Sequence, residues 1–464
     1  MAGTTRTFGF IALFLLGLLL GVLASTYLST RTQRAHAPSD GLEESLLYAP
    51  TAPMELKGML PETARAACVV VAMPGRLLDN PRKMDFYVRF IEEATTTTPV
   101  VVLVNREEPG AISRITQEIA RRCPPSSPAR TRVSFQRAII DSEWVRDYAP
   151  LFGAGSNRRL VLLDNMYRDV RSESATERML LGAGLVKEPG HGMDSSSLSD
   201  FGHFWRRNDD AAPLYFNEII HARSRQMPPL VRTPLQLSGG DLCFLGTDVM
   251  LTSTRTLEIN GGDARTFVQH AKDYFGIKQV IFLRPLPRGM WHLDMFLKPG
   301  ELGSLLLGQI EPVGSGSLQD SDLLQEEARQ VLEWNCDLLR SQLPASRIVR
   351  VPMPPLLPAT PGRTGQAATG VAQLDNAVAA GEITLKPQSP LWYRSFVNSL
   401  VIRDADGVVV LLPRFQGLTD MEPEVERAYR KIWPDATLHF IDADVLTEDF
   451  GGIHCVSVVL PALD

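Results

Sequence analysis

DLCFLGTDVMLTS, residues 241–253, holds two short apolar runs, Asp241–Leu245 and Val249–Ser253, on either side of Gly246-Thr247-Asp248. Both runs have strand length, and the Gly/Asp turn between them is of the hairpin kind. Ala264–Tyr274 follows with helical spacing, and Val280–Leu283 reads as a third strand. The same order returns late in the chain. Phe396–Ile402 and Val408–Leu412 flank the turn Asp404-Ala405-Asp406-Gly407, Pro423–Trp433 reads as a helix, and Leu438–Ile441 as the last strand. Two copies of strand–strand–helix–strand suggest a repeated supersecondary unit. Units of this kind are also common singly, so the pair leaves internal pseudo-symmetry open. Nearer the start, strands are expected at Ala67–Met73, Val100–Val104 and Val133–Ile140, with helices at Met84–Ala94 and Ala111–Arg121. That alternation makes the chain α/β.

The 464 residues suffice for one large domain or two ordinary ones, and the net charge of −6 is mild. No basic tract is present, which argues against nucleic acid as a partner. Arg6 precedes an uncharged apolar run from Phe8 to Leu28. Residues 1–28 therefore read as a signal peptide, with Val22 and Ala24 as the small residues before a cut at Ser25, or as a membrane anchor. A buried core helix is the third reading. Either of the first two makes the body extracytoplasmic, and an uncleaved segment would hold it to the membrane. Residues 29–54 read as a linker and 55–464 as the globular body. Gly190–Asp210 and Pro352–Pro390 read as long loops. The five cysteines form no Cys-x-x-Cys, which argues against a zinc site; in an oxidising compartment four could pair and leave one free.

A lone cysteine closes the stretch Gly451-Gly452-Ile453-His454-Cys455, followed by the apolar run Val456–Leu460. It is either a small buried hydrophobe or a nucleophile. If the segment is extended, His454 and Cys455 point to opposite faces, so a base must come from elsewhere. In Trp291-His292-Leu293-Asp294-Met295-Phe296, a strand would place His292 and Asp294 on one face, as a proton carrier and a cation clamp or as a satisfied surface pair. Asp141-Ser142-Glu143-Trp144-Val145-Arg146-Asp147-Tyr148-Ala149-Pro150 sets three acids just beyond a strand, either at a site or in a charged loop. One chemistry uses all the pieces. Asp147 and Asp294 grip a planar guanidinium, the Cys455 thiolate attacks its carbon, and His292 protonates the departing nitrogen and then activates water. That chemistry needs neither metal nor organic cofactor.

These residues resemble known motifs. Trp144–Pro150 resembles the Trp-x-Arg-Asp-x-Gly-Pro motif of the agmatine deiminase and bacterial (Porphyromonas-type) peptidylarginine deiminase family. His292-Leu293-Asp294 is similar to its Gly-His-Ile/Val-Asp, Ser238-Gly239-Gly240-Asp241 to its Glu-Gly-Gly-Asn, and Gly451–Cys455 to its Gly-Gly-Ile-His-Cys. The order is the same, over about residues 55 to 464. The resemblance implies a five-bladed α/β propeller of pseudo-symmetric strand–strand–helix–strand units. It implies deimination of a guanidino group, with Cys455 as nucleophile, His292 as acid and base, and Asp147 and Asp294 as guanidinium ligands. The expected substrate-binding set is Trp144, Arg146, Asn398, Ser238, Arg168 and Arg171, the last two as binders of a C-terminal carboxylate or as part of a solvated loop. Ser238, Trp291 and Ala149 depart from the pattern, where the family has Glu, Gly and Gly; they leave a reshaped pocket or lost activity open. The expected substrate is an arginine side chain of peptide or protein. The alternatives are an agmatine-type small guanidine, a degenerate arginine-binding protein, and transfer of the amidino group to a second amine.

Overall fold

The plan read from residues 241–253 occurs four times in chain order in the structure, a computed structural model. Leu151–Gly155 and Leu160–Met166 pair antiparallel, the helix Ala212–Ser224 follows, and Leu230–Gln236 returns parallel to the second strand. Leu242–Leu245, Val249–Ser253, the helix Ala264–Phe275 and Gln279–Leu283 repeat it. So do Leu297–Pro299, Leu305–Gln309, the helix Asp320–Gln342 and Ile348–Pro352. The fourth copy is Leu400–Arg403, Val408–Arg414, the helix Glu422–Arg430 and Thr437–Asp442. A fifth sheet joins the two ends of the chain: Ser457–Pro461 pairs antiparallel with Ala66–Met73, and Val100–Asn105 and Val133–Ala138 follow in parallel. The five sheets are separate ladders and do not close into one.

The described residues are 50–156, 159–167, 207–287, 292–312, 320–355, 357–358, 391–449 and 451–462. The apolar leader 1–28, residues 29–49 of the expected linker, the loop residues 190–206 and 359–390, and Trp291, Arg168 and Arg171 lie outside them. Among the described residues no helix is long and apolar enough to cross a membrane. All five cysteines are buried and free, so the four-way pairing considered for an oxidising compartment is not made.

Local chemistry explains the elements. The helix Pro81–Thr97 opens on Asn80, whose side chain accepts from the backbone N–H groups of Arg82 and Lys83, with proline at its first position. It ends at Thr98, ahead of Pro99, where a following proline disfavours helical backbone. Its apolar face buries Met84, Tyr87, Val88 and Ile91. Val69, Val70 and Val71 are all fully buried, because helices or neighbouring sheets cover both faces of this mostly parallel sheet. Each such valine contributes roughly 1.5–2 kcal/mol of burial.

Two expected strands are turns instead. His292–Phe296 is a 3-10 turn over Leu293–Met295, closed by the Phe296 N–H on the Leu293 carbonyl at 2.9 Å. The strand expected from Phe396 begins only at Leu400. Before it, the Ser395 hydroxyl accepts from the Val397 N–H at 3.1 Å, and the Ser399 N–H donates to the Val397 carbonyl at 2.8 Å. These local bonds compete with a ladder and leave Asn398 in an irregular turn.

Candidate active site

Cys455 sits in a turn over residues 453–456, just before the strand Ser457–Pro461, and is 4 % exposed. Two glycines make room for the approach. A side chain at Gly451 would overlap the Trp144 ring, and one at Gly452 would overlap the Asn398 carboxamide. Asn398 Nδ2 lies 3.2 Å from Cys455 Sγ, and its Oδ1 accepts from the His454 backbone N–H at 2.8 Å. Asp294 Oδ2 lies 3.6 Å from the same sulfur. Burial pushes the Cys455 thiol well above its ordinary value, and the charges of Asp294 and Asp147 push the same way; the Gly452 N–H and Asn398 pull back. These influences favour the protonated thiol in the unliganded site, so the thiolate expected for the attack has to be formed against them.

Asp147 lies on the short helix Val145–Tyr148, with its Oδ1 3.5 Å from His292 Nδ1. The Arg146 backbone N–H donates to the Cys455 carbonyl at 3.1 Å, so this helix and the cysteine turn are tied directly. The segment before the helix is anchored by Asp209. Its carboxylate accepts from the Asp141 N–H at 2.7 Å, the Ser142 N–H at 3.2 Å and the Ser142 hydroxyl at 2.6 Å. Tyr148 donates to the Ser142 carbonyl at 2.8 Å. Gly240 fits between the two motifs: a Cβ there would stand 2.7 Å from His292 Nδ1 and 3.1 Å from Asp147 Oδ1. Asp241, next in line, accepts from Ser253 at 2.6 Å and from Thr256, and burial raises its carboxyl to about 6.

Behind this group runs a charged row that the sequence reading did not assemble. His454, read as pointing away, is buried with its Nδ1 2.8 Å from Asp294 Oδ2. Because the segment is a turn and not a strand, His454 and Cys455 meet the same carboxylate. On the other side of its ring, His454 Nε2 is 3.0 Å from Glu62. Arg146 donates to Glu62 at 2.7 Å, and the buried Lys298 lies 3.9 Å from it. Burial opposes the Glu62 charge, but His454, Arg146 and Lys298 together hold its carboxyl well below the usual range. The row borders a cavity of about 50 Å³. Each of the five larger sheets contributes to its wall, through Leu151, Leu242, Pro299, Leu400 and Val458.

The structure thus brings together Cys455, Asn398, Asp294, Asp147 and His292. Trp144, 5 % exposed, packs on the cysteine turn. Arg146 turns its side chain into the inner row, and Ser238 Oγ is buried without a hydrogen-bond partner among the described residues. A further missed residue is Lys83. It is buried between Glu143, at 2.8 Å, and Asp449, at 2.5 Å, and so braces the segment before Asp147 against the one before Cys455. Glu62, Lys83 and Lys298 belong to no motif; the one available signal was a charged residue inside or beside an apolar stretch. Among the described residues no cluster of His, Cys, Asp or Glu could hold a metal ion.

Solved structures of this shape include a putative arginine deiminase from Porphyromonas gingivalis. It is 17 % identical, with a TM-score of 0.58 over 87 % of this chain and 98 % of that one. The agmatine deiminase of Enterococcus faecalis is 15 % identical, with a TM-score of 0.59 over 90 % of this chain and all of that one. The agmatine deiminase of C. jejuni is 15 % identical, at 0.57 over 88 % and 97 %. At these identities the likeness shows the fold. No curated protein matches the chain in sequence. The family model of the Porphyromonas-type peptidyl-arginine deiminases matches residues 58–461. The chain belongs to that family, whose members are hydrolases acting on the C–N bonds of guanidino groups.

Proposed function

We propose that the protein hydrolyses the guanidino group of arginine side chains in peptides or proteins, giving citrulline and ammonia through a covalent intermediate on Cys455. The observation that carries this is a buried thiol with Asn398 at 3.2 Å, the Asp294 carboxylate at 3.6 Å, and the Asp147–His292 pair on the adjoining motif. A planar cation entering between the two aspartates is held by charge-assisted bonds. It also neutralises the charges that keep the thiol protonated, so substrate and thiolate stabilise each other.

His292 takes the thiol proton as the sulfur bonds to the guanidinium carbon. It returns that proton to the departing nitrogen as the C–N bond breaks, which releases ammonia. Water then attacks the resulting thiouronium carbon with His292 as base, the C–S bond breaks, and the sulfur recovers its proton. Asn398 holds the sulfur in place throughout. Two features support a peptidyl substrate over agmatine: the family model's own substrate class, and Ser238 in place of the glutamate that the agmatine-type motif carries. In this reading Arg168 and Arg171 bind the peptide's C-terminal carboxylate, and the apolar leader places the body outside the cytoplasm. The five sheets sharing one cavity wall support a five-bladed propeller arrangement.

The test is release of citrulline and ammonia from peptides with internal or C-terminal arginine, from free arginine and from agmatine. Turnover of the peptides above the small guanidines is the expected result. Preference for agmatine would move the protein to the small-guanidine branch, and no turnover by folded protein to the arginine-binding one.

A further inference from the structure

Both ring nitrogens of His454 face carboxylates. Nδ1 is 2.8 Å from Asp294 Oδ2, and Nε2 is 3.0 and 3.1 Å from the two oxygens of Glu62. An ionised carboxylate can only accept. Both carboxyls are held below their ordinary range. Burial is the largest single influence at each and opposes its charge, but His454 with Arg146 and Lys298 at Glu62, and His454 with His292 and Arg146 at Asp294, together outweigh it. The His454 side chain is 3 % exposed, so water does not substitute for either acid. Two acceptors facing one ring require a hydrogen on each of its nitrogens.

We propose that His454 is a positioning residue, held as a doubly protonated imidazolium between Asp294 and Glu62, that decides which oxygen of Asp294 is left for the substrate. Oδ2 is engaged by His454 and by the Cys455 thiol. Oδ1 is buried and has no hydrogen-bond partner among the described residues, so it is the oxygen that remains for a guanidinium N–H. The backbone N–H of the same histidine orients Asn398 through its Oδ1, which turns Nδ2 onto the sulfur. One residue thereby sets both groups that touch the thiol. Glu62, with Arg146 and Lys298 behind it, is the counterweight that keeps the imidazolium in place. The kinetic half of this inference rests on the deiminase reading; the protonation half does not.

The full chain labelled with ¹⁵N at histidine separates the two. The His454 signals are assigned by their loss in His454→Gln or their displacement in Glu62→Gln. Near neutral pH, both ring nitrogens should resonate as N–H nitrogens, and one bare pyridine-type nitrogen would overturn the proposal. With an arginine peptide as substrate, His454→Gln should lower kcat by about tenfold to a hundredfold, the scale of one charge-assisted hydrogen bond. Glu62→Gln, which keeps an acceptor oxygen, should lose less. Unchanged kcat and KM in folded His454→Gln would overturn the positioning role. If the wild-type protein turns over no guanidine at all, the deiminase reading fails, and the nitrogen signals still decide the state of the ring.

Discussion

Cys68 lies in one strand of the sheet that joins the chain ends and Cys455 in the turn that leads into the neighbouring strand, yet their surroundings differ in kind. Cys68 lies within the strand Ala66–Met73, opposite Leu460, and is fully buried. Burial alone pushes its thiol up to about 12, with Arg223 opposing weakly. Cys455 comes just before the partner strand and is also buried, but two carboxylates add to the suppression. Apolar burial cannot be lifted without unfolding the sheet. Carboxylate suppression is lifted by any cation that pairs with Asp294 and Asp147. Burial is the larger cause at both thiols, but only at Cys455 can a ligand ease part of the suppression.

The sharpest way to break this comparison is to delete each sulfur. Cys455→Ser should lower turnover of the arginine peptides by at least about a thousandfold, since the attacking atom is lost; citrulline release is the readout, and comparable turnover would end the comparison. The next effect tests what holds the cysteine turn. Lys83→Met leaves Glu143 and Asp449 buried without their shared cation, and should cost about 3–5 kcal/mol in a denaturant titration. Lys83→Arg should recover part of it.

Asp294→Asn sharpens the electrostatic claim. Removing a negative charge that raises the thiol must lower it, so alkylation of Cys455 by iodoacetamide should reach its half-maximal rate at a lower pH than in the wild type. Deimination by the same variant should fall by roughly a hundredfold, because a guanidinium ligand is gone. A faster thiol in a slower enzyme is the signature; a thiol unmoved or raised would contradict it. The smallest effect is expected at Cys68→Ala, about 1 kcal/mol of stability from lost packing and no change in kcat.

Much of the fold could be read from the chain because its strands are short and punctuated. Val249–Ser253 was placed to the residue, since Gly246 and Asp248 mark the hairpin and the helix beyond it has clear spacing. Two of the four contiguous units escaped. The second strand pair near Leu305 is joined through Gly300–Ser304, without an Asn-Gly or Asp-Gly signal, and the pair beginning at Leu151 follows directly on the Ala149-Pro150 loop. The fifth sheet needs both chain ends, which no local pattern can announce. Within the site, motif order pointed to Cys455, Asp147, His292 and Asp294, which the structure brings together. Strand periodicity misjudged His454, because the cysteine segment is a turn, and it left Glu62 and Lys298 unassembled, since their meeting depends on tertiary closure.

The most direct test of the account is the covalent state of Cys455 during turnover. The protein is mixed with an arginine peptide, quenched in acid and analysed by mass spectrometry of the fragment that carries Cys455. The account requires an adduct on that fragment equal to the peptide less ammonia, absent from Cys455→Ser. Steady citrulline formation with no such adduct, and with turnover preserved in Cys455→Ser, would contradict it.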